Sequence, residues 1–183
     1  MRHCQLPMNL NLMFFKRQRF IFSCAIATAL ALSGCAQISD TVTSVIPFVG
    51  EKNLLSGRGG ANNPILVVKI DDTQGARPQV ALEKADIVYI EQVEGGLTRI
   101  AALYSSEYPE LVGPVRSARI SDIELLSQFG KVAFAYSGAQ SKFLPMLSAA
   151  NLYDIGAMKR GPLYYFNDPL RIQQFAMMVR ARE

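Results

Sequence analysis

Apolar positions beyond about residue 63 fall into short blocks whose spacing changes from one to the next. Pro64 to Ile70 (PILVVKI) is an apolar run closed by Asp71-Asp72, the pattern of a strand buried on both faces. Residues 73–79 (TQGARPQ) have the glycine and proline of a loop, and 80–85 reads as a short helical turn. Ile87 to Val93 (IVYIEQV) and Leu97 to Tyr104 (LTRIAALY) are rich in β-branched and aromatic residues and predict two more strands. Gly95-Gly96 between them predicts a two-residue hairpin loop, because primed turns need positive φ. That register sets Glu94 opposite Leu97 and Gln92 opposite Arg99.

Gly113-Pro114 and Gly130 bracket a predicted helix of about four turns, with proline at its first position and glycine at its far end. Val115, Ala118, Leu125, Leu126 and Phe129 form its apolar face. Val132 to Ser137 (VAFAYS) then reads as a buried strand, and Ser141 to Ala150 as a helical stretch interrupted by proline. The order strand, hairpin, helix, strand, helix predicts an α/β domain: a mixed sheet containing an antiparallel hairpin, covered by helices.

The chain before residue 63 has a different character. Lys16-Arg17-Gln18-Arg19 precedes an uncharged stretch from Phe20 to Leu32, followed by Leu32-Ser33-Gly34-Cys35. That stretch covers roughly 20 Å as a helix, short of the ~30 Å hydrocarbon core. A short apolar run between a basic flank and small residues reads as a signal peptide over 1–34. The tetrapeptide resembles the bacterial lipobox, which makes Cys35 the expected lipidation site and puts the remainder on the extracytoplasmic face of the cell membrane. Residues 35–62, mixed in polarity and without sustained periodicity, read as a membrane-proximal linker, and 63–183 as the folded domain. Within the linker, Val45-Ile46-Pro47-Phe48-Val49 is an apolar patch that either packs on the domain or belongs to an ordinary tether.

Composition changes this picture by exclusion. The net charge of +4 comes from four basic residues before Cys35, where no acidic residue occurs; beyond it, fifteen basic residues face fifteen acidic ones. Nothing then favours a nucleic-acid partner. Cys4, Cys24 and His3 lie in the signal region, so lipidation of Cys35 leaves the mature chain without histidine, free thiol or disulfide. Ser-His-Asp and Cys-His catalysis and the usual zinc sites are thereby excluded, and no cofactor or metal is implied.

The remaining candidate chemistry is carboxylate and guanidinium. In the predicted helix, Arg116 and Arg119 lie three apart on one side of the first turns, where cations oppose the macrodipole. One reading is an anion site built from guanidinium forks and helix amides; the other is internal pairing with Asp71, Asp72, Glu91 or Glu94. Arg99 is expected to pair with Glu94 across the hairpin. Asp71 and Asp72, as strand neighbours, point to opposite faces, which weighs against a catalytic pair. Ser137-Gly138 has no base to activate it. All seven tyrosines lie between 89 and 165, and Tyr164-Tyr165-Phe166 reads as core or as a stacking surface for sugars.

Several motifs resemble one family in order: Asn63-Pro64-Ile65 with Asp71, Ala76-Arg77-Pro78-Gln79, Ala85-Asp86-Ile87-Val88-Tyr89, Val93-Glu94-Gly95-Gly96-Leu97-Thr98-Arg99, and Gly113-Pro114-Val115-Arg116-Ser117-Ala118-Arg119. Together they are similar to the YerB-like lipoproteins, a family whose function is undefined, across residues 63–168. The resemblance implies an extracytoplasmic lipoprotein with an α/β domain and supplies no mechanism. From Ile172 to Glu183 (IQQFAMMVRARE) the likeness ends, where family members continue through a His-Asn segment into a second domain. A domain shortened after Arg171 is therefore expected. The functional expectation is a non-catalytic binding module for an anionic envelope component or partner protein, using Arg116 and Arg119 with Arg99, Arg77 and Asp71. Its rivals are a carboxylate enzyme of envelope polymers and a nonfunctional remnant.

Overall fold

The computed structural model describes residues 50–183; the signal region, Cys35 and the patch at 45–49 lie outside the described residues. The first strand, β1 (Leu66–Asp71), is buried along its whole length. It lies at the centre of a five-stranded sheet and satisfies its backbone on both sides. It pairs antiparallel with β3 (Thr98–Tyr104), which in turn pairs antiparallel with β2 (Ile87–Gln92). On its other side it pairs parallel with β5 (Val132–Ala135), followed by β6 (Leu152–Asp154). The sheet order is β2-β3-β1-β5-β6, so the expected mixed α/β sheet with its antiparallel hairpin is present.

Each face of the sheet has its own apolar core. Val67, Ala101, Leu103 and Phe134 face Leu126 of α1 (Ile120–Ser127) and Leu147 of α2 (Leu144–Ala149). The opposite face, with Leu66, Val68, Ile70, Ile100 and Ala102, packs on Val112, Tyr165 and Val179. These last residues belong to a second sheet of order β4-β8-β7, made of β4 (Leu111–Val112), β7 (Tyr165–Asn167) and β8 (Met177–Arg180). Helices therefore cover one face, and a small sheet does much of the work on the other. A third short helix, α3 (Ala157–Arg160), leads towards β7.

Four expectations need correction. The hairpin loop has three residues, Glu94 to Gly96, with positive φ at both glycines, and Val93 N–H donates to the Leu97 carbonyl. The register moves by one: Gln92 faces Thr98 and Glu91 faces Arg99. In a sheet with period two, a one-residue shift changes which side chains share a face, and here it brings Glu91 and Arg99 onto the same one. The helix begins at Ile120 rather than at Pro114. The backbone of 113–116 is already committed: Gly113 bonds with Val80, Val115 N–H donates to Met177, and Arg116 N–H donates to Lys69. Extended pairing here outweighs the local helix signal.

The third correction concerns residues 51–62, which are built into the domain rather than serving as a linker. Lys52 bridges Gly59, and Asn53, only 1% exposed, organises the segment. Its carbonyl oxygen accepts from the Leu55 and Ser56 amides, and its amide nitrogen donates to the Ala61 carbonyl and Ser105 hydroxyl. Asp86 holds the same segment from the other side, accepting from Ser56 Oγ at 2.7 Å and from the Ser105 and Ser106 amides, each at 2.7 Å. The fourth concerns the residues after Arg171. Met177–Arg180 is the middle strand of the second sheet, with Met178 and Val179 buried. Phe175 lies against the backbone of Gly75, where an added Cβ would stand 2.4 Å from its ring.

Burial raises the Asp86 carboxyl, but hydrogen bonds from Ser106, Ser56 and Ser105 outweigh it and hold the group below its ordinary 3.8. A depressed folded-state pKa contributes stability that is present above 3.8 and lost as pH falls through the folded value. Asp86→Asn should therefore flatten the acid limb of stability below about pH 4, as read from urea midpoints against pH.

Candidate functional site

At the carboxyl end of β1, three guanidinium groups gather from separate segments: Arg99 from β3, Arg116 from the extended stretch before α1, and Arg119 at the N-cap of α1. Arg116 and Arg119 converge through tertiary pairing and not as neighbours on one helix. Arg116 Nε stands 2.9 Å from Asp71 Oδ2, with the aspartate side chain 3% exposed. Both atoms are buried, yet the N–H is not aimed at the oxygen and neither has a hydrogen-bond partner. The contact is thus charge attraction without good alignment. Arg119 Nε meets Glu94 Oε2 at 2.9 Å, on the rim, where Glu94 is largely exposed.

Arg99 differs from both. The register that puts it opposite Asp71 and Glu91 does not give it either carboxylate; its Nη1 donates to the Ser117 carbonyl at 2.8 Å. Among the described residues it makes no ion pair. Burial, followed by the nearby charges of Arg119 and Arg116, lowers its pKa below that of a free guanidinium. Glu94, the partner expected for Arg99, pairs with Arg119 instead. Arg77 lies outside this trio: it reaches Asp72 at 2.9 Å, which also accepts from Thr98 Oγ1 at 2.6 Å. Asp71 and Asp72 therefore serve different partners, as neighbours at a strand end should.

Beneath the trio sits a charge that the apolar reading of β1 passed over. Lys69 is fully buried, with Nζ 2.6 Å from Glu91 Oε1 and 2.7 Å from Asp122 Oδ1. Its row partner on β3 is Ala101, whose methyl leaves room for the lysine to reach across to β2. Asp122 Oδ2 accepts the Arg119 amide at 2.6 Å and so caps α1. Ser121 Oγ donates to Glu91 Oε2 at 2.8 Å. Burial, only partly offset by Lys69, pushes the Asp122 carboxyl up to about 6. Glu91 goes the other way: burial would raise it, and the Lys69 and Ser121 contacts bring it below 4.5. Within PILVVKI the lysine itself was the available signal, since a cation in a strand buried on both faces requires a buried partner.

The four carboxylates offered for acid–base chemistry are all engaged: Asp71 with Arg116, Asp72 with Arg77, Glu91 with Lys69 and Glu94 with Arg119. None stands as an unpaired carboxyl facing a second one. Among the described residues no group of three or more His, Cys, Asp and Glu could hold a metal ion, and no helix is long and apolar enough to cross a membrane.

The model of the N-terminal domain of a protein family of unknown function, DUF3048, matches residues 54–180. The chain belongs to this family. The match takes in 172–180, past the residues 63–168 over which the motifs resemble the family, and so includes β8. "Putative lipoprotein YerB" of Bacillus subtilis (strain 168) is 36% identical over 105 residues, which are 57% of this chain and 31% of that protein. The crystal structure of the YerB protein from Bacillus subtilis matches with a TM-score of 0.65 at 26% identity, covering 71% of this chain and 46% of that one. The chain thus spans less than half the length of the relatives it matches. Family membership and this likeness agree with the mixed α/β sheet, and they assign no activity to the arginine cluster.

Removing the charge of Lys69 while keeping its stem leaves two buried carboxylates uncompensated. Lys69→Met should cost about 3–5 kcal/mol in urea unfolding. A loss under 1 kcal/mol would mean the triad is solvated. In a carboxyl-carbon NMR titration Asp122 should change near pH 6. Because its folded pKa exceeds the unfolded 3.8, the stability this group contributes is full below 3.8 and lost as pH rises through about 6, opposite in sign to Asp86.

Proposed function

We propose that this protein is a lipid-anchored, extracytoplasmic binding module without catalytic activity, which holds an anionic component of the cell envelope at the cluster of Arg99, Arg116 and Arg119. The observation that carries the reading is Arg99: a half-buried guanidinium beside two others, with no carboxylate of its own. Like charges held together at a surface are costly unless an anion joins them, and a phosphate or carboxylate presented to guanidinium forks makes strong charge-assisted hydrogen bonds. The anchor is Cys35, in keeping with a relative named as a lipoprotein.

The members of the cluster have separate roles in this reading. Arg116 neutralises buried Asp71 and belongs mainly to the fold. Arg99 and Arg119 face the ligand. Glu94, on the glycine loop, occupies Arg119 in the absence of ligand and competes with it. Arg77 stays with Asp72 at the margin and adds to the field without gripping the ligand.

Titration calorimetry with polyphosphate tests this. Arg99→Ala and Arg119→Ala should each weaken binding about tenfold with melting temperature kept within a few degrees. Glu94→Gln should strengthen it several-fold by removing the competing carboxylate. Equal affinity across all three variants, or collapse of the melting temperature in the arginine variants, rejects the reading.

A further inference from the structure

Away from the arginine cluster, a cleft of about 190 Å³ opens between the ends of the two sheets. Its floor is Leu66, Ile155 and Val179, an outcrop of the core between the sheets. Tyr164 and Tyr165 form a wall, and the Tyr165 hydroxyl is already used, donating to the Ile155 carbonyl at 2.6 Å. The walls therefore offer ring faces and aliphatic carbon rather than spare hydrogen bonds. An apolar cavity of about 150 Å³ accepts benzene, so this one has room for a ring and a small substituent.

The rim carries the polarity. Arg180 is fixed there, donating to the Leu163 carbonyl at 2.9 Å with its guanidinium 4.5 Å from the Phe166 ring centre. Arg160, the last residue of α3, has its guanidinium 5.8 Å from the Tyr164 ring centre and makes no ion pair among the described residues. Glu183 is the one acidic residue lining the cleft. Arg180 is held by the Leu163 carbonyl, which leaves the Arg160 guanidinium as the cation over the apolar floor that a ligand can engage. That arrangement suits a monoanion with an apolar body. A phosphate dianion would need a second free cation and brings no apolar group for the floor.

We propose that this cleft is a second binding site, for a small apolar carboxylate, with the hydrocarbon between Leu66, Val179 and Tyr165 and the carboxylate on Arg160. No residue of the arginine cluster takes part, so the two sites stand or fall separately. Arg160 acts as a planar fork that reads the carboxylate, and Tyr164 supports its guanidinium from one side.

The test is saturation-transfer NMR on the full chain in phosphatidylcholine nanodiscs, with benzoate as the probe. Ala181→Trp, placed to fill the cleft from the residue that follows β8, supplies the background of benzoate in lipid. The native chain should show benzoate binding that Ala181→Trp abolishes. Arg160→Gln should weaken it about tenfold, and benzyl alcohol should bind the native chain more weakly than benzoate by a similar factor. Three results overturn the proposal: no benzoate signal from the native chain, the same signal from native and Ala181→Trp or Arg160→Gln chains, or equal binding of benzyl alcohol and benzoate. Should Ala181→Trp fail to fold, the Arg160→Gln and benzyl alcohol comparisons still decide.

Discussion

An ammonium group with no exposure to water lies between two carboxylates, and three elements meet on it. Lys69 comes from the central strand, Glu91 from the outer strand of the hairpin and Asp122 from the first turn of α1. Ions of either sign are costly to desolvate, so once the lysine is buried both partners must come to it with good geometry. That requirement fixes the hairpin register, because a shift of one residue would turn Glu91 to the other face. It also fixes the start of α1, because Asp122 can reach Lys69 and cap the Arg119 amide only if the helix begins at Ile120. The spacing of Arg99 and Arg119 follows from these two placements, so the geometry of the surface cluster is set by the buried triad beneath it.

The strands made of apolar, β-branched and aromatic blocks were legible in the sequence: β2, β3 and β5 lie within the blocks read for them, and β1 runs one residue past its block, to Asp71. What was not legible depended on contacts distant along the chain. Gly113-Pro114 has the local chemistry of a helix start, but Val80, Ile70 and Met177 claim its backbone for extended pairing. The glycine pair announced a hairpin but not its loop length, since Glu94 joins the loop and moves the register by one. Residues 51–62 are polar and aperiodic, like a tether. They are held by one buried asparagine and one aspartate, whose roles appear only when Ser105 and Ser106 are brought beside them. The second sheet is built from two- to four-residue strands, too short to carry a period.

For the site, the residue types were readable and their partners only in part. Asp71, Arg99, Arg116 and Arg119 do assemble at one end of β1; Arg116 and Arg119 take Asp71 and Glu94, two of the carboxylates named for internal pairing, and the pairing of Arg99 with Glu94 across the hairpin is the one that is replaced. Glu94 moves from Arg99 to Arg119, and Arg99 is left with a backbone carbonyl. Lys69 carried the most information of any residue in its block, because a lone cation among buried aliphatic positions demands a buried anion; its identity as a charge mattered more than the apolar pattern around it.

The three guanidiniums of the cluster also differ in how far the fold depends on them. Arg116 is close to a carboxylate that is 3% exposed, so removing its charge strands Asp71 in a poor dielectric. Arg119 holds a carboxylate that is 61% exposed, and water can replace that contact at little cost. Arg99 has no carboxylate to strand. Of three guanidiniums in one place, the one deepest in ion pairing is therefore the least available to a ligand, and the one without a pair is the most available. On the proposed reading an anion would gain from Arg99 directly, would have to displace Glu94 from Arg119, and would gain little from Arg116, whose charge is already spent on the fold.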